Sequence, residues 1–260
     1  MIQLLHGRGI NESIPPHRSY RNLPFSWGAL FSTIPAVLVV EFFVILLAQR
    51  ALDLMSGFAL AGTRFAGIYV RTFADPFLFV TLHPMTFEMR HSDWFELLVI
   101  TLVCALIVIG LSIWTALVAP LRFFINLNAM LVGGAAIFLF LTGRLGYDSA
   151  AFSQLMLRTA LVTWLVIPVF VGFFVSLFPF TVVERIGFIA LTVAWDIPLS
   201  IVRYACFILI LGQTGAIAMT DLYFLFGPLL DVVPVICFLS ILLVRLARAF
   251  ESRRAAWGLS

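Results

Sequence analysis

Six apolar runs divide the chain, at about 27–49, 94–118, 123–142, 159–180, 187–212 and 223–244. Polar, Gly or Pro residues close each run. About 20 apolar residues at ~1.5 Å rise cover the ~30 Å hydrocarbon layer of a bilayer, so each run predicts one membrane-crossing helix. The fold class that follows is all-α: a polytopic transmembrane helical bundle of about six spans. Pro35, Pro168, Pro198, Pro228 and Pro234 fall inside these runs. Proline kinks a membrane helix, and neighbouring helices can satisfy the carbonyl it frees. Gly133-Gly134, in the middle of the third run, lets another helix approach closely.

The longest connection covers residues 51–94. Its first part, GFALAGTRFAGIYVRTF (57–73), is apolar but carries Arg64 and Arg71, seven residues apart on one helical face. It has too many charges to span, and it predicts one interfacial or re-entrant helix in the first outer loop. The next part, DPFLFVTLHPMTFEMRHSDW (75–94), gathers Asp75, His83, Glu88, His91 and Asp93 and reads as a solvated loop. His83 with His91-Ser92-Asp93 supplies metal-ligand residue types, but polar residues have nowhere else to collect, and no metal is assigned. Residues 144–158 read as a polar link and 213–222 as a short loop.

The domain division is a basic tail over 1–26, one six-helix membrane domain over 27–244 and a second basic tail over 245–260. The first tail is polar and proline-containing, so no cleavable leader is expected in it.

Composition sharpens the class. The chain is 62% hydrophobic and 11% charged, with mean hydropathy +1.10, whereas a soluble domain carries about 25% charged residues. That excludes a sizeable soluble domain. The net charge of +3 comes from Arg residues at loops and helix ends, where they set orientation and do not indicate nucleic-acid binding. Arg8, Arg18, Arg21, Arg122, Arg185, Arg245, Arg248, Arg253 and Arg254 fall on the side of the termini; Arg50, Arg64, Arg71, Arg90, Arg144 and Arg158 fall on the other. Both termini are therefore expected in the cytoplasm of a bacterial cell, in the inner (plasma) membrane, with 51–94 outside. Cys104, Cys206 and Cys237 lie inside apolar runs without a C-x-x-C pair, so neither a disulfide framework nor zinc is expected.

Charges inside the spans are costly and mark helix pairing or a substrate path. Glu41 lies about 8 residues before the first span reaches the outer face, Arg203 about 9 before the fifth does, and Asp231 about 8 into the sixth. At ~1.5 Å per residue all three share a depth of roughly 12 to 14 Å. Arg203 can fork between Asp231 and Glu41, because its five donors suit two carboxylates. Asp196 lies two turns deeper on the same face of the fifth span and needs its own partner, or it is neutral. These four residues form the expected buried charge cluster. No span carries a regular polar stripe, which counts against a channel.

Nucleophile-elbow, zinc-protease, phosphate-loop and Asp-rich motifs are all missing from the chain. The stretch IPLSIVRYACF, with Arg203 and Cys206 one turn apart, resembles the Pro-to-Arg helix of the exosortase and archaeosortase type of membrane transpeptidase. The resemblance implies an outer-face thiol enzyme with Cys206 as nucleophile and His83 or His91 as its partner. The chain departs from that pattern. The family's Cys lies on an earlier helix, and its His follows the Arg, whereas no His here follows His91.

The function expected is that of a non-catalytic subunit or permease-like component of a transport or envelope-assembly system. It would carry a charged cavity toward the outer face, need no cofactor, and have the bilayer and other membrane subunits as partners. The alternative is the intramembrane thiol enzyme.

Overall fold

A computed structural model describes residues 27–90, 92–113, 118–143, 148–177 and 180–252. The described residues form an all-α membrane bundle with one small β-structured cap. The elements in order are α1 (Trp27–Phe65), β1 (Arg71–Thr72), β2 (Asp75–Phe77), β3 (Val80–Leu82), β4 (Met85–Thr86), α2 (Trp94–Ile113), α3 (Ala119–Thr142), α4 (Ser149–Ser176), α5 (Val182–Thr214), α6 (Ala218–Phe224) and α7 (Pro228–Ser252). Five of these helices, α1 to α5, are long and apolar enough to cross a bilayer; α7 has a shorter apolar run, Leu230–Ile241.

The core is built by α1, α4 and α5. On α1 the buried residues Ala36, Val40, Val44, Ala48 and Leu52 recur every fourth position, and Met55 and Ala59 continue the strip. Small residues on that strip let the neighbours come near. The approach to α4 is closest at Gly172, where a Cβ would run into the side chain of Val37. From α4 the core receives Leu157, Leu161, Trp164 and Val171, and from α5 Ile189, Tyr204, Ile208 and Leu211.

The first connection departs from its expected form. Gly57–Phe65 is no separate surface helix, because it completes the 39-residue α1. Met55, Ala59 and Thr63 extend the buried strip, and Gly62 would put a Cβ 3.4 Å from Leu209 of α5. The apolar face packs on a helix instead of lying on lipid. What folds back onto the bundle is β structure. β2 pairs with β3 in register Asp75↔Leu82 and Phe77↔Val80, and β1 pairs with β4 outside them.

The stretch expected as a solvated loop is thus a folded cap, with Val80, Leu82, Met85 and Phe87 buried in the main core. Side chains satisfy its backbone. Gln49 of α1 accepts from the Thr81 N–H at 2.9 Å and donates to its carbonyl at 3.0 Å. Ser149 of α4 does the same for Phe87, at 3.0 and 2.7 Å.

Residues 149–158, expected as a polar link, are the opening turns of α4. Asp148 caps them, accepting from the Ala151 N–H at 2.7 Å. A capping box between Thr181 and Glu184 starts α5 five residues before the apolar run. Gly215 ends it with φ 76°, and a Cβ there would collide with the Arg90 carbonyl that crosses over it. The expected loop 213–222 contains α6, and α7 carries residues 245–252 of the expected second tail in helical form. The first tail, His91 and residues 253–260 lie outside the described residues.

α2 and α3 pack on each other as a hairpin, with Gly133 against Cys104. The hairpin meets the rest of the bundle chiefly through α6. Ile217 packs with Leu97 and Ala136, and the rings of Phe124 and Phe226 stand 6.1 Å apart.

Candidate functional site

The arm that follows α5 is a broken helix. α6 stops at Phe224, residues 225–227 turn, and α7 starts at Pro228. Gly227 is required at the break, since a Cβ would run into the Tyr223 carbonyl. The Gly227 carbonyl accepts from the Leu230 N–H at 3.1 Å.

Arg203 of α5 fills the break. Its Nη1 donates to the Gly227 carbonyl at 2.8 Å and to Asp231 Oδ1, and its Nη2 donates to Asp231 Oδ2 at 3.1 Å. Both side chains are almost wholly enclosed, at 6% and 3% exposure. The fork-to-fork geometry is the strong form of an ion pair. Here it also ties the carbonyl left by the interrupted helix to a different helix.

Glu41 does not join this clasp. It is half-buried on α1 and makes no hydrogen bond or ion pair among the described residues. The expected trio is therefore a pair plus a separate acid. Matched depth along the sequence says nothing about azimuth, and Glu41 is a step off the strip that faces α5.

Asp196 is completely buried, and both carboxylate oxygens lack a hydrogen-bond partner among the described residues. It lies within electrostatic range of Arg203 and Asp231. Ser200 stands one turn toward the clasp and accepts from the Trp164 indole N–H at 3.4 Å. Thr192 stands one turn the other way, its hydroxyl donating to the Phe188 carbonyl at 2.9 Å.

The stripe judged missing from the sequence is thus present on α5: Arg185, Thr192, Asp196, Ser200 and Arg203 are all buried. Spacings of seven, four, four and three residues put them on one face. Bulky apolar neighbours hide the pattern in a linear reading, but a helical projection of 182–214 would have exposed it. At its lower end Arg185 donates to the hydroxyls of Ser32 and Thr33 at 2.6 Å each.

Cys206, one turn past Arg203, points to the exposed side of α5, while Arg203 points inward. His83 Nε2 lies 3.8 Å from Asp53 Oδ1 of α1, and the Ser56 hydroxyl donates to the His83 carbonyl at 3.2 Å. No hydrogen bond joins Cys206 to His83 among the described residues, and His91, the other imidazole expected beside Cys206, lies outside them. Cys104 is buried and Cys237 exposed. Among the described residues no group of three or more His, Cys, Asp or Glu could hold a metal ion.

Sequence reasoning missed the groups that lock the cap beside this site. Ser153 accepts from the Met85 N–H at 2.7 Å and shares a 2.6 Å hydrogen bond with the Tyr204 hydroxyl. Asp75 accepts from Gln154 at 2.8 Å and Arg158 at 3.0 Å. On α6, outside the five spans, burial pushes the Asp221 carboxyl up from its ordinary value. Comparison of the chain with protein-family models, curated proteins and solved structures finds no match.

Proposed function

We propose that this integral membrane protein is a non-catalytic, permease-like component of a transport or envelope-assembly system. It works in an inner (plasma) membrane alongside other membrane subunits. Both termini lie in the cytoplasm, and the cap with the α5–α6 turn lies outside. One observation carries the reading: a buried Arg–carboxylate clasp closes a break in a helix, beside a file of buried polar side chains. Discontinuous helices with ionic groups at the break are how membrane transporters build sites inside a bilayer.

Complementation tests it. In cells lacking the chromosomal copy, Cys206→Ser should restore the wild-type phenotype fully, scored as exclusion of a membrane-impermeant dye. Arg203→Leu combined with Asp231→Leu should restore protein level but not dye exclusion. Loss of function in Cys206→Ser at normal protein level would favour the enzyme instead. The orientation is checked separately. A reporter active only in the cytoplasm should work when fused after Ser260 and stay silent when inserted at the cap turn after Leu78; the opposite pattern inverts the topology.

A further inference from the structure

We propose that Asp196 is a proton-binding site, holding one exchangeable proton as the neutral acid in the resting bundle. The inference stands apart from any transport role, since it concerns only what occupies this carboxyl group.

The geometry leaves an anion there without compensation. The side chain is fully enclosed and, among the described residues, neither oxygen receives a hydrogen bond. A lone charge in the interior of a span is costly unless a partner compensates it. The groups that face it do not offset that cost. Arg203, two turns away on its own helix, is already neutralised by Asp231 of α7. On α1 the ionisable residue of the spanning half is Glu41, another acid. On α4 no residue from Thr159 to Ser176 is ionisable.

A metal ion fits less well than a proton. Hard cations gather six or more oxygens. Here the neighbouring hydroxyls of Thr192 and Ser200 already take part in other hydrogen bonds. A proton needs no added volume and only one oxygen. On release the O–H bond breaks, the electron pair stays on the carboxylate, and the proton passes to water. Ser200 lies on the same face between Asp196 and the clasp, so the route runs toward Arg203 and the broken helix. Ionised Asp196 would then compete with Asp231 for Arg203.

Infrared spectroscopy of the full chain in lipid membranes tests this directly. Near neutral pH the spectrum should contain the carbonyl stretch of a protonated carboxylic acid. That band should shift in heavy water and again when aspartate carries carbon-13. Asp196→Asn, which has the shape of the neutral acid, should accumulate normally and lose the band completely. A band that labelled aspartate leaves unmoved, or that persists in Asp196→Asn, overturns the proposal, as does a spectrum with no such band. Loss of the band on adding sodium, but not choline, also overturns it by revealing a metal-ion site. If Asp196→Asn does not accumulate, Asp221→Asn decides: a labelled-aspartate band that survives there supports Asp196, and one that vanishes excludes it.

Discussion

Arg203→Leu should remove most of the folded protein from the membrane. The substitution strands the Asp231 carboxylate at 2% exposure and leaves the Gly227 carbonyl without the guanidinium. Breaking a buried ion pair from one side costs about 3–5 kcal/mol, because the surviving charge is uncompensated. That approaches the whole stability of an ordinary domain, ~5–15 kcal/mol. Arg203→Leu with Asp231→Leu removes both charges and should recover much of the lost protein, leaving mainly the lost charge-assisted hydrogen bond to the Gly227 carbonyl, about 1.5–3 kcal/mol, since that carbonyl still accepts from the Leu230 N–H. Quantitative blotting of membranes, followed by thermal unfolding of the purified variants, measures both steps. If Arg203→Leu accumulates and unfolds like the wild type, the clasp contributes nothing to folding. If the double variant is as depleted as the single one, the damage comes from the lost carbonyl contact and not from the stranded charge.

Trp164→Ala should be comparably damaging by a different route. Among the described residues Trp164 is the largest side chain with no exposed surface, and it packs in the core built by α1, α4 and α5. Truncating a buried Trp costs about 3–5 kcal/mol, as lost contacts plus the cavity left behind. Its indole N–H also holds Ser200, one turn from Asp196. Trp164→Phe retains most of the volume and should lose chiefly that hydrogen bond, about 0.5–1.5 kcal/mol. Thermal unfolding of the two variants in one detergent gives the comparison. Equal midpoints for Phe and Ala would mean that the ring volume is not what matters at this position.

The helices were legible because hydropathy over about 20 residues is a direct record of the bilayer's thickness. Their ends were less so. Asp148 and Thr181 extend α4 and α5 beyond the apolar runs by capping, a signal carried by single residues that hydropathy averages away. The cap was illegible for another reason. Val80, Leu82, Met85 and Phe87 are buried along a stretch too short and too irregular to stand out, and the partners of Met85 and Phe87, Ser153 and Ser149, lie more than sixty residues on. The pairing of Arg203 with Asp231 followed from depth and charge. Excluding Glu41 required knowing which way α1 faces, which depth does not encode. Gly227 carried no signal at all: one glycine among many becomes special only when a carbonyl crosses it.

The serine anchors of the cap also fix an order of manufacture. Phe87 hydrogen-bonds both ways to Ser149, 62 residues later, and Met85 donates to Ser153, 68 residues later. Ribosomes add ~5–20 residues per second, so roughly 3 to 14 s separate the synthesis of these strands from that of their partners. During that interval Met85, Leu82 and Val80 have no α4 or α5 to pack against. The cap must wait in the lipid headgroups, or under the hand of an insertion factor, until the second half of the chain arrives. Its final closure is therefore a post-insertion event, and a ribosome stalled between residues 94 and 148 would leave the first helix in place with its cap still open.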